Sequence, residues 1–493
     1  NSAATNPPTY VFNPGLNYAE NQTVNNKTLD AYFAYNKSLN GFVTRLDAQA
    51  GYSYQNFVTD GNKQIFRYNT SNGSREVTPN PANANNRYYN ERNLQSFFGR
   101  GNFDLLNKYL FTLTLRADGS SLFKENKRWG YFPAAGFAWR LKDESFLKES
   151  KTFNDLKLRL GYGITGQQDI TGVAGSYPYS ALFAPTSASS TYIPGINGYY
   201  AKPYNEDLTW EKTTTYNVGI DFGFFENDIV TGSIDAYQKY TKDLLSVVSA
   251  SPGQALTNEF VSNVGSMKNK GIETSLNVKV IREENFNLAV NGNIAYNIGE
   301  ITDLNNRTTN VDNASGIPVG TGQKIAYNTV GQQPYSAWVF EQVYDSNNRP
   351  IENAFVDKNG DGKIDDNDRS YVALRPNWTY GFGLTANYKK FDLTTTFNGQ
   401  IGGKVYNARK LQSGFIDKAL PANSISLTNV LDTEFDFKTI NGNVPFSDFY
   451  LEDASFLRCQ NITLGYNFDK AIKGAVLRLY ASANNVFIVT DYT

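Results

Sequence analysis

Apolar and polar residues alternate along this chain with a period of two. In the stretch 286–299, Phe286, Leu288, Val290, Ile294, Tyr296 and Ile298 share one parity; Asn287, Asn291, Asn293 and Asn297, with Ala289 and Ala295, share the other. Side chains on a strand point alternately to opposite faces, so the segment predicts a strand with one oily face and one amide face. The same alternation opposes Leu156, Leu158, Leu160 and Tyr162 to Lys157 and Arg159, and Tyr216, Val218, Ile220 and Phe222 to Asn217, Gly219 and Asp221. It recurs at 380–389 and 391–401. Helical spacing fits none of these segments better.

The pattern predicts about 14 strands, beginning near Thr28, Gly41, Arg92, Lys108, Gly130, Leu156, Trp210, Asp228, Val261, Phe286, Trp378, Phe391, Ser455 and Ala475. Their connections alternate in length. Short ones fall at 40–41, 105–107, 142–150, 225–227, 282–285, 389–390 and 469–474. Long ones fall at 56–91, 165–209, 243–260, 300–377 and 402–454, with 120–129 a shorter member of that set. A soluble sandwich has no reason to gather its long loops at one end. A transmembrane antiparallel β-barrel of the outer-membrane type does, with short turns facing the periplasm and long loops facing outward. The oily parity then meets lipid and the Asn, Gly and Thr parity lines the bore. In lipid every backbone group needs a partner, so such a sheet must close. Tyr109, Phe111, Tyr216, Phe222, Tyr380 and Tyr388 lie near the ends of outward runs, where aromatic girdles are expected.

Composition narrows the function classes. The chain has 493 residues, a formal charge of −1, one Cys, one Met and no His. Length alone would accommodate several domains or one very large architecture. The charge balance supplies no basic field, so nucleic acid is not an expected partner. Without His, Ser-His-Asp and Cys-His catalysis within this chain are excluded. Cys459 has no partner for an internal disulfide and is expected to be a small, inert strand residue. No window approaches the ~18 continuous apolar residues of a membrane helix, which leaves a barrel open.

Six blocks occur in order: "RADGSSLF" (116–123), "RWGYFPAAGFAWRL" (128–141), "DLTWEKTTTYNVGIDFGFF" (207–225), "KNKGIETSLN" (268–277), "SFLRCQNITLGYNF" (455–468) and "SANNVFIVTDYT" (482–493). Together they resemble the SusC/RagA-like TonB-dependent transporters of Bacteroidota outer membranes, over nearly the whole chain. The resemblance implies a 22-stranded barrel with an N-terminal plug, a SusD-like surface lipoprotein as a lid, and the TonB system acting through the plug. It implies import of oligosaccharides or peptides, and a wall facing membrane lipid or lipopolysaccharide. No plug, TonB box or signal sequence is recognisable here. The expectation is therefore that residues 1–493 form the C-terminal portion of one β-barrel domain, as part of a longer chain or of a split barrel.

One motif lies outside that reading. "DKNGDGKIDDND" (357–368) follows the start of an EF-hand calcium loop. Asp357, Asn359 and Asp361 offer side-chain oxygens at loop positions 1, 3 and 5, and Gly362 permits the turn. Lys363 would give its carbonyl, Asp365 sits at position 9 and Asp368 at position 12. Hard oxygen donors at this spacing suit a structural Ca²⁺ better than a transition metal. Position 12 is one methylene shorter than the usual Glu, and the flanks read as strands rather than helices. The tyrosines of 165–209 (Tyr177, Tyr179, Tyr192, Tyr199, Tyr200 and Tyr204) could stack on sugar rings, contact a lid or pack on their own loop. The competing function is a secreted, calcium-stiffened β-protein that binds glycans or surfaces. A glycosidase would need a paired-carboxylate site, and Asp143/Glu144 and Asp365/Asp366 read better as charged turns; no enzyme is expected.

Overall fold

The computed structural model describes residues 18–68, 75–78, 87–170, 175–185, 198–201, 204–249, 259–305, 318–320, 323–415, 419, 429–431, 442–472 and 475–492. Fourteen strands pair in chain order, each antiparallel to the next. They are β1 (Tyr18–Ser38), β2 (Val43–Tyr68), β3 (Arg87–Leu105), β4 (Tyr109–Ser120), β5 (Trp129–Arg140), β6 (Phe153–Gln167) and β7 (Glu211–Phe224), followed by β8 (Val230–Lys242), β9 (Ser266–Arg282), β10 (Phe286–Asp303), β11 (Trp378–Tyr388), β12 (Phe391–Ile401), β13 (Phe456–Ile472) and β14 (Ala475–Thr490). This is the wall of an antiparallel β-barrel. Among the described residues, β1 and β14 each have a wall neighbour on one side. No described helix is long and apolar enough to cross a membrane, which leaves crossing by strands untouched.

Register sorts the side chains as the alternation predicts. Leu158, Ile220, Ile234, Thr274, Ile294 and Tyr380 stand side by side across β6 to β11 on one face. One residue along, the opposite face carries Arg159, Gly219, Asp235, Glu273, Ala295 and Thr379. The first row is the outer, lipid-facing side and the second is the inner side.

Aromatic pairs mark both edges of the apolar band. At the short-turn edge lie Tyr109–Trp139, Phe153–Phe224, Phe286–Tyr388 and Phe391–Tyr466, with ring centroids 4.8–6.1 Å apart. At the long-loop edge lie Phe97–Trp129, Tyr162–Tyr216 and Tyr296–Trp378, at 4.7–6.0 Å. From Trp378 to Tyr388 the backbone of β11 rises about 34 Å at about 3.4 Å per residue, or about 26 Å along the membrane normal at a tilt of about 40°. That matches the ~25 Å apolar band of an outer-membrane barrel.

Several of the expected strands differ in extent from the sequence reading. The loop expected at 56–91 is largely strand: β2 runs on to Tyr68, β3 starts at Arg87, and Arg75–Thr78 pairs with the end of β2. Likewise β1 begins at Tyr18, ten residues before Thr28. Beyond the lipid both faces meet water, so the apolar alternation fades while the backbone ladder persists. The strand expected from Val261 is two elements. Leu245–Ser249 pairs with Glu259–Asn263 as a separate hairpin, and β9 starts only at Ser266. Gly265 (φ +80°) turns the chain between them, in a conformation an L side chain rarely adopts.

The buried core lies mostly outside the wall. Ile325, Ala337, Val339, Tyr406, Leu411, Phe415, Val444 and Tyr450 pack together in the connections 304–377 and 402–455. A second cluster joins Phe123, Ile170, Leu208, Trp210 and Val261 to Phe132 of β5. A third is Phe340, Phe355 and Phe446. These clusters cap the long-loop edge. Cys459 is free and fully buried on β13, in register between Phe397 and Phe487, as expected of an inert strand residue.

The short-turn edge is tied by Glu144, in the turn between β5 and β6. Its carboxylate accepts hydrogen bonds from the Tyr109 hydroxyl (2.7 Å), Lys108 Nζ (3.0 Å) and Trp139 Nε1 (3.1 Å). These three donors, Tyr109 first, hold its pKa down at about 2 against an ordinary 4.5. A depressed carboxylate pKa contributes stability that is full above the unfolded value and lost as the pH falls through the folded one. The denaturant midpoint of the wild-type protein is therefore expected to fall between pH 4.5 and about 2 by more than that of Glu144→Gln. Equal pH dependence in the two proteins would refute this role.

Candidate functional site: the polar inner face and the capping loops

The inner face carries charges that register brings together. Arg159 on β6 donates from Nε to Asp221 Oδ1 of β7 (2.9 Å) and from Nη2 to Asp235 Oδ2 of β8 (2.8 Å). Lys157 Nζ lies 2.7 Å from Asp221 Oδ2. To reach Asp235, Arg159 crosses a whole strand. It can do so because the residue between them is Gly219: a Cβ there would stand 2.3 Å from Asp235 Oδ1 and 2.7 Å from Arg159 Nη2. The arrangement repeats on β12 to β14. Arg478 Nε donates to Asp392 Oδ1 (3.0 Å) across Gly465, whose Cβ would lie 2.6 Å from Arg478 Nη2. Asn467 Nδ2 donates to the same Asp392 oxygen (3.0 Å).

Between these two ion-pair belts the inner parity of β10 and β11 is neutral, with Glu273 a charge on neighbouring β9. Asn291, Asn293, Thr379, Thr396, Asn398 and Gln400 line a shallow groove over β10 to β12. Asn398 Oδ1 is buried without a hydrogen-bond partner, as is Asn297 Oδ1. A wall of amides and hydroxyls can exchange hydrogen bonds with any neutral polar solute and imposes no charge requirement.

The acidic loop sits in the cap between the strands Pro350–Phe355 and Ser370–Val372, so its flanks are strands, as the sequence indicated. Its side chains close the loop on itself. Asp357 accepts from the amides of Gly360 (2.7 Å) and Gly362 (2.8 Å). Asn359 accepts from Asp361 N (3.0 Å) and Asp361 from Lys363 N (2.9 Å). Asp365 caps a short 3-10 turn by accepting from Asn367 N (2.8 Å). Asp368 is fully buried and spends both oxygens on amides: Oδ2 on Asp365 (2.9 Å), Oδ1 on Lys358 (2.9 Å) and Asn359 (3.4 Å). Those amides, Asp365 first, draw its pKa below the ordinary carboxylate value. Among the described residues no three His, Cys, Asp or Glu side chains gather as a metal cluster. The donor set is nevertheless all oxygen, and Asn359, Asp361, Lys363 and Asp365 lie on the exposed side of the loop.

The residue after the loop was not singled out by the sequence reading. Arg369 is nearly buried, with its guanidinium carbon 4.0 Å from the Phe446 ring centroid, 4.6 Å from Trp338 and 4.7 Å from Phe340. Burial lowers its pKa, and Asp366 is its ionic partner at 3.5 Å. The acidic loop is thereby pinned to the aromatic core of the cap. Of the tyrosines in the 165–209 loop, Tyr199 is the most open, while Tyr177 and Tyr204 are also exposed and Tyr179 is half-buried. Tyr192 and the side chain of Tyr200 lie outside the described residues. Neither carboxylate pair forms a cleft of two acids: Glu144 ties the aromatic girdle and Asp365 caps its own turn.

Residues 1–486 match the family described as TonB dependent receptor-like, beta-barrel. The TonB-dependent receptor SusC of Bacteroides thetaiotaomicron is 37% identical over 488 residues, which are 93% of this chain and 47% of that protein. The TonB-dependent receptor P3 of Formosa agariphila is 28% identical, over 96% of this chain and 49% of that protein. The RagAB peptide transporter superposes with a TM-score of 0.75 at 23% identity, over 96% of this chain and 53% of that one. The chain thus spans about half the length of the relatives it matches.

Gly219→Ala tests the inner-face bridge. The added methyl is expected to part Arg159 from Asp235 and cost about 1–2 kcal/mol in the unfolding midpoint. Combined with Asp235→Asn the cost should be less than additive. Strict additivity would show that the bridge carries no coupling.

Proposed function

The chain belongs to the TonB-dependent receptor-like β-barrel family and forms part of an outer-membrane barrel wall, and from that premise we propose that it is the C-terminal, fourteen-strand portion of an energised outer-membrane importer. Further strands of the same protein or of a second chain would meet β1 and β14, since an open sheet edge is not tolerated in hydrocarbon. A plug within the bore would couple to the TonB system, and a SusD-like lipoprotein would close the mouth over the capping loops. The cargo is an oligosaccharide or a peptide. The observation that carries this reading is the neutral, amide-rich inner groove of Asn291, Asn293, Asn398 and Gln400, which suits uncharged hydrogen-bonding solutes. SusC and the RagAB peptide transporter, as relatives, point the same way. Turnover chemistry has no part in this reading. A lipid-free secreted β-protein is not favoured, because it leaves the continuous apolar outer face without an environment.

The test is uptake. Deleting the full-length gene should abolish growth on the cognate oligosaccharide or oligopeptide while sparing the monomers, and loss of TonB should reproduce the defect. Import unaffected by loss of TonB would sink the proposal.

We further propose that the loop 357–368 takes a structural Ca²⁺. Asp357, Asn359, Asp361, the Lys363 carbonyl and Asp365 would hold it, with Asp368 at position 12 already fastening the loop through its amides. The ion supplies charge neutralisation for a loop carrying five Asp residues. A weak site is expected, with a dissociation constant of about 10⁻⁴–10⁻³ M, as in extracellular modules. Millimolar Ca²⁺ should protect 357–368 from proteolysis in the wild type and not in Asp357→Ala/Asp361→Ala. Protection that is identical with Ca²⁺ and with chelator would rule the site out.

A further inference from the structure

On β7, β8 and β9 the membrane-facing parity changes chemistry at the long-loop edge. Toward that edge β7 presents Ile220, Val218, Tyr216, Thr214 and then Lys212; β8 presents Ile234, Ala236, Gln238, Tyr240 and then Lys242. The same parity of β9 presents Leu276, Thr274, Ile272 and then Lys270 and Lys268. On this parity β7 and β8 are apolar in the middle and finish on lysine, and β9 carries its two lysines just before its terminal Ser266. The neighbouring strands do not: this parity reads Ile164 and Gly166 on β6, and Ile298 and Glu300 on β10.

Register gathers the four lysines. Lys212 lies directly opposite Lys242, Lys268 opposite Tyr240, and Lys270 opposite Gln238. Lys212, Lys242 and Lys270 are exposed; Lys268 is half-buried, with Nζ 5.5 Å from the centroid of the Tyr240 ring. No ion pair of the described residues engages any of them. The acids facing them on this parity are Glu300, opposite Lys268, and Asp303, opposite Ser266. Like charges directly opposed across two strands are unfavourable unless an anion sits between them.

Depth identifies the anion. Lys212 stands about 14 Å along the strand beyond Tyr216, or about 10 Å further along the membrane normal at a tilt of about 40°. That is the level of lipid headgroups rather than of the hydrocarbon or the bulk solvent. Lysine suits it, since its stem lies on apolar surface while the ammonium reaches the polar layer. We infer that Lys212, Lys242, Lys268 and Lys270 form a binding site for the phosphate groups of an anionic lipid in the outer leaflet. The inference rests on the outer-membrane barrel reading and adds to it a lipid site on the outside of the wall, away from the cargo path.

The full-length protein, extracted in detergent, is tested with diphosphoryl lipid A, with phosphate-free lipid A and with inorganic phosphate. Retained lipid is read by native mass spectrometry, alongside heat-modifiable mobility on gels. Replacing all four lysines by serine should weaken retention of the diphosphoryl lipid by roughly fivefold per lysine. It should leave retention of the phosphate-free lipid unchanged. Lys212→Ser/Lys242→Ser offers a milder variant in case the quadruple one folds poorly. Glu300→Gln, which removes the carboxylate opposite Lys268, should tighten retention. Retention unchanged in the folded lysine variants would overturn the site while leaving the barrel standing. Full displacement of the lipid by inorganic phosphate would overturn it as a lipid site. A wild-type protein without heat-modifiable mobility would remove the barrel reading and the site with it.

Discussion

Hydrocarbon offers no partner to a backbone N–H or C=O, and the rest of the structure depends on that fact. Strand must follow strand without a gap, and fourteen do so in chain order here. Once the sheet is continuous, side chains have only two places to go. The outer parity must be apolar because lipid is, and the inner parity is free to be polar because lipid never reaches it. The alternation of Ile294 with Asn293, or of Ile220 with Gly219, is the imprint of that division.

A consequence is that the wall has almost no hydrophobic core. A soluble sheet packs its apolar face against another layer of protein; this one leaves it to the membrane. Conventional burial is displaced to the long-loop edge, where Phe123, Phe340, Phe415 and Tyr450 are among the largest fully buried side chains. The cap and the wall are therefore held together by different physics. Hydrophobic packing in water stabilises the cap. The wall relies on its hydrogen-bond ladder, the solvent preference of its two faces, and inner ion pairs such as Arg159–Asp235 and Arg478–Asp392.

Strand number, order and lipid face were readable from the sequence, because period-two alternation survives wherever one face meets lipid. It failed where both faces meet water. The run from Asn56 to Tyr68 shows no oily parity, yet the ladder continues through it. Val261 misled for the opposite reason: it is apolar because it fills the cap core, not because it lies on the wall. The candidate site was only half visible. The acidic loop announces itself through its spacing, whereas the reach of Arg159 over Gly219 depends on a register between strands that are far apart in sequence. Arg369 gives no local signal at all, since its three rings, Trp338, Phe340 and Phe446, come from distant segments.

The strands differ greatly in length: β2 has 26 residues and β11 has 11. At the same inclination, β2 climbs roughly 65 Å where β11 climbs about 26 Å. The rim of the vessel is thus lopsided. One flank is a tall, stiff parapet of paired backbone, and the other is low and built up by folded loops. Above the apolar band the two flanks therefore present different surfaces, a ladder of paired backbone on one side and side chains packed into a loop core on the other.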